Sequence, residues 1–333
     1  MQYNKIFKSR DLWMGVATLW IMLFHSRFNI PLINYVKYIG YGGVDIFFFA
    51  SGVGCYFSLK HDSDNWAFIK RRMNRILPTY FIFLFFWFLY KLLVDSITLK
   101  EILGNIFCVG CIIGLKNQFN WYMNGIWIMY IIAPFLFSFI NQKSSKKRIV
   151  IFILVMLLAS IPFFNTNMLI VITRLPVYFI GFYFASQSEK NDILGTRQFS
   201  ILVLLMCFGV ITLFLFALKC NSLMWKYGLW WYPFIFITPG LCFIISFISN
   251  YCYGKIGRVL KKIILFVGKY SFEIYLVHVF FYDILKRCIK SGFVINTNLN
   301  WLIVSLIVIP FSFLLKKITN KVVTESHRLK HHY

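Results

Sequence analysis

Residues 10–25 read Arg10-Asp11-Leu12-Trp13-Met14-Gly15-Val16-Ala17-Thr18-Leu19-Trp20-Ile21-Met22-Leu23-Phe24-His25. From Leu12 to Phe24 no side chain is charged. The run is too long for a cleavable secretory signal and lacks a small-residue cleavage site, so it predicts a membrane span, placed near 12–30. Working outward at the length a bilayer demands, about 20 residues for a hydrocarbon core of about 30 Å, nine more spans fall near 38–59, 76–95, 119–140, 149–164, 168–187, 199–218, 229–250, 264–285 and 300–315. Composition agrees. Of the 333 residues, 59% are hydrophobic and 14% charged, against roughly 45–50% and about 25% in soluble domains. With a mean hydropathy of +0.71, too little polar surface remains to cover a soluble globule, so the excess faces lipid. The expected fold class is all-α: a polytopic membrane protein of about ten transmembrane helices, with residues 1–333 forming one membrane-embedded domain and no appended soluble domain.

The formal charge of +24 would suggest nucleic acid in a soluble chain. In a membrane chain the cations are topology signals and contacts to lipid headgroups, and no nucleic-acid partner is expected. They also decide how the stretch 101–115 is read, which is short and broken by Gly104, Gly110 and Gly114. If it crossed, the cluster Lys143, Lys146, Lys147 and Arg148 would lie outside, against the positive-inside tendency. If it does not, 24 of the 35 Lys and Arg lie inside and both termini are cytoplasmic. The stretch is therefore read as re-entrant or interfacial. The eight cysteines are scattered through apolar runs apart from Cys108 and Cys111, and no disulfide framework or metal site is expected.

Titratable groups inside hydrocarbon are costly and mark functional sites by default. At about 1.5 Å per residue, His25, Asp45, Arg174 and His278 fall at one level, about 10 Å below the outer face for the first three and about 21 Å from the inner face for His278. Four polar groups from four spans at one depth predict a polar pocket in the outer half of the bundle. Asp45 and Arg174 fit equally well as an ion pair that only fixes packing. His278 shares a helical face with Ser271, Tyr275 and Tyr282, which suits either a hydrogen-bonded packing stripe or chemistry. His25 shares its face with Asp11, Gly15, Thr18 and Met22 and has no acidic neighbour to pair with in the hydrocarbon, so its partner comes from another helix. Desolvation favours an uncharged imidazole, which is a proton acceptor, and makes His25 the candidate general base.

Residues 68–80 read Phe-Ile-Lys-Arg-Arg-Met-Asn-Arg-Ile-Leu-Pro-Thr-Tyr. A positive-inside anchor explains this turn simply. Arg72 and Arg75, three apart on a helix, also present two guanidinium forks to one side, a geometry suited to phosphate oxygens. The ligand class is then a cytoplasmic anion carrying several phosphates, such as an acyl-CoA. Arg71 and Lys70 point elsewhere, toward headgroups.

Taken in order, residues 10–25, then Gly42-Gly43-Val44-Asp45-Ile46-Phe47-Phe48-Phe49 with Ser51-Gly52, then Arg72-x-x-Arg75-Ile-x-Pro78-x-Tyr80, then Gly268-x-x-Ser271 with Ile274-Tyr275-Leu276-Val277-His278 resemble the acyltransferase-3 family of bacterial integral membrane O-acyltransferases. Weaker echoes are Trp121-Tyr122 with Tyr130 and Pro134, and Arg174 with Pro176 and Gly181. The resemblance implies a multi-pass enzyme of the bacterial cytoplasmic (inner) membrane that moves an acyl group, acetyl first among candidates, from cytoplasmic acyl-CoA to a hydroxyl of a cell-envelope or exopolysaccharide sugar, a carbohydrate or glycolipid acceptor. It implies His25 as catalytic base oriented by Asp45; Arg72, Arg75 and Arg10 on the acetyl-CoA or other acyl-CoA co-substrate; Arg174, Tyr275, His278 and Trp121 along the acceptor; and no metal. A homo-oligomer is left open. One position departs from the pattern: where the family's first helix commonly carries an arginine, this chain has Met14, and Arg10, one turn earlier and about 60° around the helix, is the candidate replacement.

A transporter or flippase of a polar or lipid-linked substrate is the competing reading, since ten spans with intramembrane His, Asp and Arg suit it equally. Against it, no internal repeat is visible and the basic turn suits a bound co-substrate. The enzyme reading requires one path through the bundle from the guanidinium forks to the first-helix imidazole.

Overall fold

The computed structural model describes residues 2–116, 118, 121–141, 166–190, 193–218, 224, 226–250, 254–292 and 297–330. Among them the chain is helical and contains no strand. Seven stretches are long and apolar enough to cross a membrane: Gly40–His61, Asn65–Val94, Trp121–Asn141, Met168–Lys190, Thr196–Leu218, Leu229–Ser249 and Asn298–Glu325. Lys255–Lys269 and Ser271–Lys290 pass the same length and hydropathy test only as a pair, bent by 80° at the break, the geometry of a broken span or a re-entrant loop. The chain is thus an all-α, multi-pass membrane protein, and the span expected near 149–164 lies outside the described residues.

Around these spans, α1 (Tyr3–Lys8), α2 (Arg10–His25) and α3 (Pro31–Tyr38) precede α4 (Gly43–His61), which begins with a single 3-10 turn, Gly40–Gly42. Then come α5 (Asn65–Val94), α6 (Leu99–Ile106), α7 (Trp121–Asn141), α8 (Thr166–Ile172), α9 (Leu175–Lys190), α10 (Thr196–Leu218), α11 (Pro233–Ser249), α12 (Lys255–Lys269), α13 (Ser271–Lys290) and α14 (Thr297–Lys330).

The first apolar run is shorter than its reading. Helix α2 has 16 residues, about 24 Å at 1.5 Å per residue, and stops at His25 instead of continuing to residue 30. The cause is local. Ser26, Arg27 and Asn29 are polar, and Ile30, forced out of the helical region by Pro31, is extended at φ −131°, ψ 118°. The stretch 101–115 forms only the eight-residue α6 and a series of turns, about 12 Å of helix, too short to cross. Its start is fixed by a capping box between Thr98 and Glu101.

Helix α4 sits at the centre, with 78% of its apolar window buried against 17% for α10. Its apolar residues run all round, the pattern of a helix enclosed by others. With lipid offering no hydrophobic drive between helices, close packing holds the bundle together. At the α4–α9 crossing, a Cβ on Gly52 would lie 2.3 Å from the Tyr178 carbonyl oxygen, and one on Gly181 2.3 Å from that of Phe49. The α2–α12 crossing repeats the device: a Cβ on Gly15 would meet the Ile264 oxygen at 2.1 Å. These contacts fix α2, which carries polar groups at both ends.

Candidate functional site

At the end of the bundle that holds the start of α2, a cavity of about 220 Å³ opens among α2, α4, α5, α7, α12, α13 and α14. Arg10, Arg72 and Arg75 all line it, with Lys269 and Lys316. Glu273, also in the lining, neutralises Lys316 at 2.8 Å. Arg72 donates to the Gly54 carbonyl oxygen at 2.5 Å and lies over the rings of Phe68 and Tyr130 at 5.4 and 5.9 Å. Arg10 keeps a buried Nε without a hydrogen-bond partner among the described residues. Three guanidiniums therefore face one concave space without a carboxylate salt-bridged to any of them among the described residues, a donor set suited to phosphate oxygens. Met14 lines the same cavity, so the residue that stands in place of the family's arginine and its candidate replacement share one wall. Arg71 turns away from the cavity, unlike Arg72, but toward protein: it pairs with Asp62 and donates to the Ser58 carbonyl oxygen at 3.4 Å.

At the other end of α2, His25 meets His278 of α13. His25 Nδ1 lies 2.9 Å from His278 Nε2, the two ring planes are 17° apart with centroids separated by 5.2 Å, and His278 Nδ1 is 2.9 Å from the Ile274 carbonyl oxygen. His278 is fully buried, whereas His25 retains partial exposure. The partner of His25 does come from another helix, and it is an imidazole.

Asp45, in the first turn of α4, pairs with Arg174 at 3.6 Å, Oδ2 to Nε. Arg174 also donates to the Ile170 carbonyl oxygen at 2.7 Å and lies between two indoles, 5.3 Å from Trp121 and 5.6 Å from Trp231. The four groups read as one level thus come together as two pairs. The Nδ1 position of His25 is taken by His278, and the charge facing Asp45 is Arg174.

Between cavity and imidazoles stands a column of rings. Tyr122 lines the cavity; its ring is 5.1 Å from that of Tyr275, which is 5.6 Å from His278. The expected path is therefore closed along this line by two tyrosines. Bulky rings at i and i+3 of α13 fill the groove beside the central helix.

Sequence reasoning missed Trp231, Tyr122 as a wall, and the Glu273–Lys316 pair. Glu273 carried a usable signal, an acid inside an apolar run. Trp231 carried none, since tandem tryptophans near a span end usually mark the interface. Among the described residues no group of three His, Cys, Asp or Glu side chains is placed to hold a metal ion.

A multi-pass helical bundle with an anion-suited cavity at one end and a hydrogen-bonded imidazole pair at the other defines an integral membrane protein with its polar site inside the bundle. The chain belongs to the acyltransferase-3 family: the family model, described as an acyltransferase domain, matches residues 8–317, a range that contains every site residue named above. Membership makes it a membrane acyltransferase that acylates oxygen. No curated protein and no solved structure matches the chain.

Proposed function

We propose that the protein transfers an acyl group, acetyl first among candidates, from cytoplasmic acyl-CoA to a hydroxyl of a carbohydrate or glycolipid of the bacterial cell envelope, within the cytoplasmic membrane. The observation that carries the reading is that α2 presents Arg10 to the basic cavity and His25 to the imidazole pair, 15 residues or about 22 Å apart along one helix. That separation suits a donor whose phosphates and thioester are joined by an extended pantetheine arm. Arg10, Arg72 and Arg75 hold the phosphates. His25 removes the proton of the acceptor hydroxyl, whose oxygen attacks the thioester carbonyl directly. Arg174, clamped by Trp121 and Trp231 and charge-matched by Asp45, lines the acceptor side with Tyr275. Asp45 supports the site through Arg174.

The reading is tested with the full chain in lipid nanodiscs, following CoA release from acetyl-CoA with and without envelope glycans. Acceptor-dependent release that His25→Ala abolishes, in a variant that still inserts, is the expected result. Parent-level transfer by that variant overturns it. Mass spectrometry of envelope polysaccharide from cells with and without the gene then names the acyl group and its sugar.

A further inference from the structure

We infer that His278 is a positioning residue that fixes the tautomer of His25, leaving His25 Nε2 as the nitrogen that takes the acceptor's proton. The inference rests on the transfer reaction proposed above and goes beyond it by assigning the proton to one atom and giving a role to a histidine that does not touch the thioester.

The argument starts from a carbonyl. The Ile274 oxygen can only accept, so His278 Nδ1, at 2.9 Å, carries the hydrogen. A neutral His278 then has its lone pair on Nε2. That lone pair faces His25 Nδ1 at 2.9 Å, so His25 must donate there and hold its hydrogen on Nδ1. The remaining nitrogen of His25, Nε2, is left with a lone pair. The chain of bonds runs from a helix backbone through one fully buried ring to a partly exposed one, which is the order a fixed support and a working group require. The surroundings hold His278 still: Tyr275 and Tyr282 flank its ring at 5.6 and 5.5 Å, and the Tyr282 hydroxyl is tied to Ser305 Oγ at 2.7 Å. Lys286, further along α13, is the charged side chain whose field reaches both imidazoles.

In the reaction, the acceptor O–H bond breaks and its proton passes to His25 Nε2. The freed oxygen bonds to the thioester carbonyl carbon, the C–S bond breaks, and the CoA thiolate recovers the proton from Nε2. While His25 holds it, the Nδ1–H bond to His278 stabilises the imidazolium, as an acceptor does behind other catalytic histidines. Here that acceptor is an uncharged ring, so positioning and not a buried carboxylate supplies the support.

The test compares His278→Leu with His278→Gln in the full chain, reading kcat, KM for acetyl-CoA and the pH–rate profile. Leucine removes the acceptor; glutamine offers a side-chain carbonyl to the same Nδ1–H. The expected result is a kcat about a hundredfold or more lower for His278→Leu with KM little changed, partial recovery in His278→Gln, and a shifted acid limb in the glutamine variant because one of two coupled imidazoles is gone. Equal kcat in the two variants with an acid limb identical to the parent's overturns the inference. Should His278→Leu fail to insert, the His278→Gln profile decides alone, an unshifted limb being the contrary result. An active His25→Ala removes the underlying reaction; an inactive His25→Ala beside parent-like His278 variants removes only the role of His278.

Discussion

Asp45 Oδ2 and Arg174 Nε face each other at 3.6 Å with side chains 0% and 1% exposed. Neither Asp45 oxygen nor Arg174 Nε has a hydrogen-bond partner among the described residues, so charge complementarity holds the pair together. Removing one member strands a buried charge, which typically costs about 3–5 kcal/mol. Asp45→Asn and Arg174→Gln should each destabilise the protein by roughly that amount, and the double variant by clearly less than their sum. Thermal unfolding of the four proteins in detergent measures it, and strict additivity would mean that the two groups do not interact.

The basic cavity makes a second prediction. Arg72 and Arg75 lie on one helical turn and Arg10 reaches the same space from α2. Replacing Arg72 or Arg75 by Ala should weaken acyl-CoA binding by about 1.5–3 kcal/mol each, the worth of a hydrogen bond to a charged group. The two losses should shrink together as salt rises. Arg71→Ala, which breaks exposed contacts to Asp62 and the Ser58 carbonyl oxygen and none in the cavity, should leave donor affinity unchanged. Isothermal titration with acetyl-CoA and with CoA separates these cases.

Tyr122 and Tyr275 stand between cavity and imidazoles, so the rings must shift for a thioester to reach His25. Tyr275→Ala should open that line to water. The expected outcome is a higher ratio of acetyl-CoA hydrolysis to acyl transfer, with Tyr275→Phe keeping the parent ratio because the ring remains. Chromatographic assay of free acetate against acylated product gives the ratio directly.

Much of this architecture was legible because lipid restricts what a sequence can do. Uncharged runs favour helices there, so seven of the expected spans coincide with helices long and apolar enough to cross, and the one near 264–285 falls in the bent pair. The pairing of Arg72 and Arg75 was legible for a related reason, since helical spacing fixes which side chains share a face, whereas Arg10, on another helix, was suggested only by the family resemblance. Reading position as level, at 1.5 Å per residue, put His25 with His278 and Asp45 with Arg174 as groups that could meet, and each of these pairs does meet. Azimuth was not legible. The partners of His25 and Asp45 depend on how the helices rotate about their axes, and close glycine contacts such as Gly52 on Tyr178 set that rotation. The ring column escaped notice because aromatics are everywhere in this chain, 20% of residues, and only coordinates tell a gate from filler.

Beyond the far end of α5, Asp95 accepts from Lys91 and from Arg287 of α13, each at 2.7 Å. The bond from Lys91 first, and that from Arg287 second, hold its carboxyl below the usual carboxylate range. A lowered folded-state value means that the stabilisation is complete above the unfolded value of about 3.9 and is lost as pH falls through the folded one. Asp95→Asn should therefore lower Tm at neutral pH, with the gap to the parent closing only below about pH 3.9. A gap that persists unchanged well below that pH, where both states are protonated, would assign the effect to packing and not to charge.

Helices α2 and α12 touch without a side chain between them. A Cβ on Gly268 would lie 1.8 Å from the Asp11 carbonyl oxygen and 3.0 Å from the Gly15 nitrogen. The obstacle is backbone and cannot swing aside, so Gly268→Ala must push α2 away from α12 or tilt it. Overpacking of this kind costs about 1–3 kcal/mol. Because α2 carries Arg10 at one end and His25 at the other, a tilt disturbs both ends together. Gly268→Ala should then raise KM for acyl-CoA and lower kcat in the same protein, unlike the arginine variants, which act on the donor, or the His278 variants, which act on kcat. Gly254→Ala is the control: it lies just before α12, at φ −66°, with nothing within 4 Å of the added carbon, and should behave as the parent. If Gly268→Ala shifts only one of the two constants, α2 does not couple the cavity to the imidazole pair.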